Sequence, residues 1–213
     1  RMSVPRGTPV LPPADLATRA LTDCLIPVSG EFFRISHENA PLVDWSSSDG
    51  ARFSGPTLPC KVLYLAATKE TCFWERFGED LRDQPVDKRG LSAKLLADRV
   101  WKRVEIAPEA PAQCLDLLDA ETLRRLGADG GTFLAPYDVT QAWAGALMAH
   151  PAGIDGLVYT SRLNTPEQCL ALFDRPRLTA MPSPLSATAL PIRPIDDPEL
   201  LAILARARIA LLT

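Results

Sequence analysis

The sequence predicts an α/β or α+β domain, with a mixed, mostly antiparallel sheet and flanking helices. Short segments rich in β-branched and aromatic residues are interspersed with segments of helical period, in the order β, α, β, β, α, α, β, β. This order is not the strict alternation of a doubly wound parallel sheet. The sequence also contains no G-x-G-x-x-G turn, which would open a dinucleotide-binding unit of that kind.

The first third of the chain is predicted to contain one helix and two strands. Residues 13–28 predict a helix that begins near Asp15. Residues 31–36 mix aromatic and branched side chains, as short strands do, and residues 61–67 form an apolar run of strand length. The connection between these strands, residues 38–60, is rich in Ser, Gly and Pro, and connections of this length are usually functional or mobile.

The segment after residue 67 predicts an amphipathic helix for which Thr68 is a suitable N-cap. At about 100° per residue, Phe73 and Phe77 fall on one face and predict a buried stripe. Glu75 and Glu79 fall on the far side, where carboxylates are usually exposed to solvent. Periodicity alone therefore does not mark either glutamate as a catalytic acid.

The rest of the chain predicts further helices and strands in a mixed order. They are a short helix in 91–100, a strand at 99–106 that would pair with 113–119, a helix at 120–131 ended by Gly127 or by Gly130 and Gly131, a helix at 138–150 stopped by Pro151, strands at 154–161 and 167–174, two short β segments near 178–193, and a C-terminal helix at 197–212.

The composition limits the classes of function. The formal charge of −3 argues against non-specific nucleic-acid binding, which depends on clustered Lys and Arg. The five cysteines form no C-x-x-C pair and only two histidines accompany them, so no metal-ligand spacing is visible. We interpret the cysteines as buried thiols of a reducing compartment. Without an apolar run of about 20 residues or a visible signal peptide, a cytoplasmic bacterial protein is the simplest expectation.

Four separated segments together resemble the RES domain, which is named for its Arg, Glu and Ser. They are "FFRIS" with Arg34, "GARFSG" with Arg52, "VLYLAATKETCFWE" with Tyr64 and Glu75, and "DGLVYTSRLNTPEQCLALF" with Ser161. Their order, and the interval from Tyr64 to Glu75, are similar to the family pattern. The interval from Glu75 to Ser161 is longer than in compact members of the family.

The resemblance implies a fold, a substrate and a partner. RES-domain proteins have a fold similar to that of ADP-ribosyltransferases, and they act on NAD⁺ as substrate without a metal. They are toxins of bacterial toxin–antitoxin modules, and their antitoxins carry an Xre-type helix-turn-helix domain. We therefore expect a helical extension at 1–30, a RES domain at 31–175, and at 176–213 a Pro-rich segment and helix packed on the same domain.

The resemblance also assigns a role to each matching residue. Glu75 is expected to stabilise the positive charge that builds on the ribose as nicotinamide leaves. Arg34 and Arg52 are expected to bind the diphosphate of NAD⁺. Tyr64 offers a flat face to nicotinamide, and Ser161 a hydrogen bond to the nicotinamide ribose or amide. Without the family context these would be surface salt bridges, a core tyrosine and a turn serine.

Three functions follow as expectations. The first is a mono-ADP-ribosyltransferase that cleaves the nicotinamide–ribose bond and passes ADP-ribose to a cellular protein. The second is an NAD⁺ glycohydrolase or phosphorylase, which uses water or phosphate as acceptor. The third is a non-enzymatic interaction subunit. Phe73 stands two residues before Glu75, where enzymes that modify arginine often have an acid, so transfer to arginine is disfavoured. An antitoxin would cover the Glu75 cleft.

Overall fold

The computed structural model describes residues 10–46, 50–164 and 167–213. In these residues the strands are β1 (Leu25–Val28), β2 (Gly30–His37), β3 (Val62–Ala66), β4 (Gly90–Ser92), β5 (Arg99–Ile106), β6 (Ala112–Asp116), β7 (Gly156–Thr160), β8 (Gln168–Phe173), β9 (Leu185–Ala189) and β10 (Ala210–Leu212). The helices are α1 (Lys69–Arg82), α2 (Ala93–Ala97), α3 (Ala120–Leu126), α4 (Tyr137–Met148), α5 (Pro176–Thr179) and α6 (Pro198–Arg206).

The centre of the fold is an eight-stranded sheet in the order β1-β6-β7-β8-β3-β2-β5-β9. Its neighbouring strands are antiparallel except β6 and β7, which run parallel. Strands β10 and β4 form a separate two-stranded parallel sheet. The predicted mixed, mostly antiparallel architecture with flanking helices is therefore confirmed.

Both faces of the large sheet carry a hydrophobic core. The larger core includes the fully buried side chains of Phe73, Trp101 and Trp143, which come from α1, β5 and α4. The smaller core on the other face includes Leu63 and Val104. Because strands with two covered faces need apolar residues at nearly every position, β3 and β8 read as continuous apolar runs.

Strands β2 and β3 diverge, and this divergence positions the site. In the described residues Phe33 and Ala66 are their one matched pair, whereas β2 pairs with β5 along its whole length and β3 pairs likewise with β8. Beyond Phe33 the two strands therefore separate, and a wedge-shaped gap lies between them. Ser46, from the connection after β2, occupies part of this wedge by exchanging backbone hydrogen bonds with Val62 of 2.9 and 2.8 Å.

The prediction of a helix at 13–28 is wrong. Its described residues form two short 3₁₀ turns, at Leu16–Thr18 and Thr22–Cys24, followed by β1. Pro27 within the segment opposes a continuous helix, and residues 25–28 instead pair with β6. Residues 1–9 of the predicted N-terminal extension lie outside the described residues.

Three predictions for the second half also need correction. Residues 113–119 do form a strand in part, but β6 pairs with β1 and β7 and not with β5. Residues 178–193 contain one strand, β9, because α5 takes the start of this region. The C-terminal helix ends at Arg206, and the chain then forms β10.

The other predicted elements are confirmed, including the helix that carries Glu75. Helix α1 begins after Thr68, whose side chain accepts a hydrogen bond from the backbone N–H of Thr71. Helix α3 ends at Gly127, which adopts a left-handed conformation with φ of 74°. No helix of the described residues is long and apolar enough to cross a membrane.

Candidate active site

A cleft of about 600 Å³ lies where β2 and β3 diverge, beside one face of α1. The residues that line it come from several separate segments of the chain between Phe33 and Leu163. Four of the five residues expected to form the site line this cleft: Arg34, Arg52, Tyr64 and Glu75. The cleft therefore brings together side chains that are separated by up to 41 positions in the sequence.

Glu75 is held at both carboxylate oxygens. The hydroxyl of Ser161 donates to Oε1 at 2.7 Å, and the hydroxyl of Tyr159 donates to Oε2 at 3.3 Å. Tyr159 lies in β7, and Ser161 is the residue directly after it. The two side chains point to the same side of the strand because strand side chains repeat with period 2. The side of α1 that periodicity assigned to solvent is therefore covered by the end of β7.

Ser161 lies behind Glu75 and is fully buried, so it does not itself line the cleft. Its oxygen accepts hydrogen bonds from the backbone N–H groups of Leu163 and Asn164, at 3.1 and 3.0 Å. With these donors on its oxygen, the hydroxyl proton is directed to Glu75. As placed, Ser161 positions the carboxylate, and its expected direct contact with NAD⁺ stays a prediction.

Arg34 is held by Asp44 from the connection after β2. Its Nη1 donates to the backbone oxygen of Asp44 at 2.8 Å, and its Nη2 donates to the Oδ2 atom at 3.2 Å. Burial lowers the pKa of the Arg34 guanidinium, and the Asp44 carboxylate opposes that shift. The guanidinium remains charged at neutral pH, and it lines the cleft with an internal carboxylate as its partner.

Arg52 stacks on aromatic rings. Its guanidinium carbon lies 5.0 Å from the centre of the Tyr159 ring and 5.7 Å from that of Phe53. The side chain is mostly buried and lies between the main cleft and a smaller, largely apolar cavity of about 270 Å³. Arg52 thus supports the ring whose hydroxyl holds Glu75, and its contact with a diphosphate stays a prediction.

Tyr64 uses its hydroxyl to order the neighbouring segment. The oxygen accepts a hydrogen bond of 2.8 Å from the backbone N–H of Phe53. Burial raises the pKa of Tyr64 to about 12, so the phenol keeps its proton at neutral pH. Burial likewise raises the pKa of the Cys72 thiol, which also lines the cleft, to about 12, so the thiol keeps its proton at neutral pH.

Sequence reasoning missed Tyr159 and the group at one end of the cleft. There Arg162 donates to Glu79 at 2.7 Å, and the hydroxyl of Tyr137 lies 3.3 Å from the same carboxylate. Tyr159 could have been found from its position two residues before Ser161. No local signal predicts that Arg162, Glu79 and Tyr137 lie close together, because they belong to three segments that are far apart in the sequence.

Four further ionisable residues line the cleft, whereas Glu70 of α1 does not. The four are His37, Arg76, Asp80 and Arg99. Glu70 is instead bound to Arg206 of α6. No group of three His, Cys, Asp or Glu side chains in the described parts of the chain is arranged to hold a metal ion.

Comparison with known proteins places these observations in a family. The sequence profile of the RES domain matches residues 31–193. Among solved structures, the chain is similar to the crystal structure of the M. tuberculosis MbcT–MbcA toxin–antitoxin complex, with a TM-score of 0.59 and 16% identity, over 84% of this chain and 93% of that chain. No curated protein matches the chain in sequence. The family match covers well over half of the sequence, and the chain therefore belongs to the RES domain family.

Proposed function

We propose that this chain is the toxin of a toxin–antitoxin module and that it cleaves the nicotinamide–ribose bond of NAD⁺. The observation that carries the proposal is the Glu75 carboxylate, which lines an arginine-containing cleft and has both oxygens fixed by hydroxyl donors. Membership of the RES domain family supports it. The similar solved structure is a toxin–antitoxin complex, which supports a toxin with an antitoxin partner.

The chemistry follows from where charge develops. When the bond from ribose C1″ to the nicotinamide nitrogen breaks, its electron pair leaves with nicotinamide and positive charge builds on the ribose. A fixed carboxylate stabilises that charge without reorganising during the reaction. Glu75 lies on a helix, and its side chain is held by Ser161 and Tyr159, so its oxygens are in place before the substrate binds.

The other wall residues bind the rest of the dinucleotide. Arg34, and Arg52 with it, supply guanidinium donors for the diphosphate. The ring of Tyr64 provides a flat apolar surface for nicotinamide. The proposed cleavage requires no metal ion, because nicotinamide leaves as a neutral base and the Glu75 carboxylate balances the positive charge on the ribose.

The acceptor of ADP-ribose is a separate part of the proposal. We place a cellular protein first, and water and phosphate second. Phe73 is fully buried against Trp74 and Phe77, so no acid occupies the position two residues before Glu75, and arginine is the least favoured acceptor. The described residues of 10–30 and 176–213 contribute nothing to the cleft wall, so these residues give no added support for a protein acceptor.

The proposed partner is an Xre-type antitoxin that covers the cleft in the cytoplasm. This predicts that the complex is inactive and that the free chain is active. An interaction subunit without enzymatic activity would not need a carboxylate with two directed donors at the wall of a cleft.

The test is to incubate the antitoxin-free protein with NAD⁺ and follow the products by mass spectrometry. Free ADP-ribose identifies water as acceptor, ADP-ribose 1″-phosphate identifies phosphate, and modified lysate proteins identify a protein. Asp80→Asn serves as a matched control for Glu75→Gln, because each removes one charge from a residue of α1 that lines the cleft. Nicotinamide release that is absent in the wild type, or that survives Glu75→Gln, rejects the proposal.

A further inference from the structure

Among the described residues, two of the five arginines that line the cleft are paired with carboxylates that line it as well. Arg34 binds Asp44, and Arg162 binds Glu79, through guanidinium–carboxylate contacts of 3.2 and 2.7 Å. The described lining holds five arginines and four carboxylates in all, so the cleft is not a strongly positive surface awaiting a diphosphate. A negatively charged ligand has to compete with carboxylates that already hold these cations.

The two contacts of Arg34 are not equivalent. The bond from Nη1 goes to the backbone oxygen of Asp44, and the bond from Nη2 goes to its carboxylate. A swing of the Asp44 side chain breaks the second contact and leaves the first. The backbone contact can thus keep the guanidinium in place while its other donors change partner.

The backbone around Asp44 is anchored on both sides. Before it, the nearly fully buried Lys102 donates from Nζ to the backbone oxygens of Ala40 and Pro41, at 2.9 and 2.6 Å. After it, Ser46 is paired with Val62. These anchors favour motion of the Asp44 side chain alone, and that side chain is 37% exposed, so it has room to leave.

We infer that the Asp44 carboxylate occupies the place of a substrate phosphate on Arg34, and that the two exchange when the substrate binds. This inference rests on the proposed function, since it assumes that Arg34 binds the diphosphate. Asp44 then acts as an internal competitor that weakens substrate binding, while its backbone oxygen keeps Arg34 oriented. The residue sets the affinity of the cleft for anionic ligands.

The test measures binding in the catalytically blocked Glu75→Gln protein by calorimetric titration with NAD⁺. Asp44→Ala removes the carboxylate and keeps the backbone contact. We expect it to lower the Kd for NAD⁺ about three- to tenfold, as the loss of a partly exposed competing charge would. Asp80→Asn is the matched control: it removes a charge from the same cleft but is not a partner of Arg34 in the described residues. We expect it to change the Kd by less than about twofold in ordinary salt.

A second ligand separates charge exchange from a change in cleft shape. Nicotinamide riboside has no phosphate, so its Kd should be the same with and without Asp44→Ala. Tighter NAD⁺ binding with unchanged riboside binding supports the exchange. An NAD⁺ Kd that is raised by Asp44→Ala, or that matches the Asp80→Asn value, overturns the inference while the proposed function stands. If NAD⁺ binds to none of these proteins and the wild type releases no nicotinamide, the inference and the proposed function fall together.

Discussion

The two walls of the cleft hold their key charges in opposite ways. On the α1 wall, Glu75 receives two hydroxyl donors from the end of β7. On the β2 wall, Arg34 is held by a carboxylate from a partly exposed connection. Neutral donors remain in place when a substrate binds, but a carboxylate competes with it. For the proposed reaction, the first wall is thus already organised, whereas the second has to change partner before the reaction begins.

The largest expected effect comes from removing the charge on the α1 wall. Expression of the chain without an antitoxin should arrest bacterial growth, and Glu75→Gln should abolish the arrest, because the variant should cleave NAD⁺ about 10³-fold more slowly. Asp80→Asn should still arrest growth. Harmless expression of a folded wild-type chain would contradict this prediction.

Ser161→Ala removes the shorter of the two hydrogen bonds to Glu75. A hydrogen bond to a charged group contributes about 1.5–3 kcal/mol, so kcat should fall about 10- to 100-fold. If Ser161 only positions Glu75, KM for NAD⁺ should change little. A rise in KM with an unchanged kcat would show instead that the serine contacts substrate.

Tyr159→Phe removes the longer hydrogen bond and keeps the ring beside Arg52. We expect kcat to fall about three- to tenfold, less than for Ser161→Ala, because the contact is 3.3 Å and not 2.7 Å. Tyr137→Phe, at the far end of the cleft, is the matched control. Equal losses in the two phenylalanine variants would mean that Tyr159 has no special relation to Glu75.

The smallest effect on activity is expected where α6 meets the start of α1. Asp197 caps α6 by accepting from the backbone N–H of Glu199 at 3.0 Å, and it accepts from Lys69 at 2.8 Å. Asp197→Asn should lower the free energy of unfolding by about 1–2 kcal/mol with little change in kcat. Glu199→Gln, at a more exposed partner of Lys69, should have almost no effect on a denaturant titration.

Local patterns predicted much of the scaffold around the site. The apolar run of β3, the Thr68 cap and the aromatic stripe of α1 depend on neighbouring residues, and these features appear as expected. The segment 13–28 was misread because pairing of β1 with a strand almost 90 residues later overrides its helical period. Strand partners of this kind are not encoded by local periodicity.

The sequence selected a set of residues for the candidate site, four of which line one cleft, but it did not predict their contacts. Family motifs selected Arg34, Arg52, Tyr64, Glu75 and Ser161. They did not show that Ser161 lies behind Glu75, that Arg52 stacks on Tyr159, or that Asp44 forms an ion pair with Arg34. Each of these contacts joins segments whose approach depends on the whole sheet, so a single sequence contains no local signal for them.

The proposed role of Glu75 is to enable this chain to break the nicotinamide–ribose bond. Its most direct test is the rate of nicotinamide release from NAD⁺ by the purified, antitoxin-free wild-type protein, measured beside folded Glu75→Gln. We expect steady release by the wild type and a rate reduced about 10³-fold in the variant. No release by the wild type, or equal release by both proteins, would contradict it.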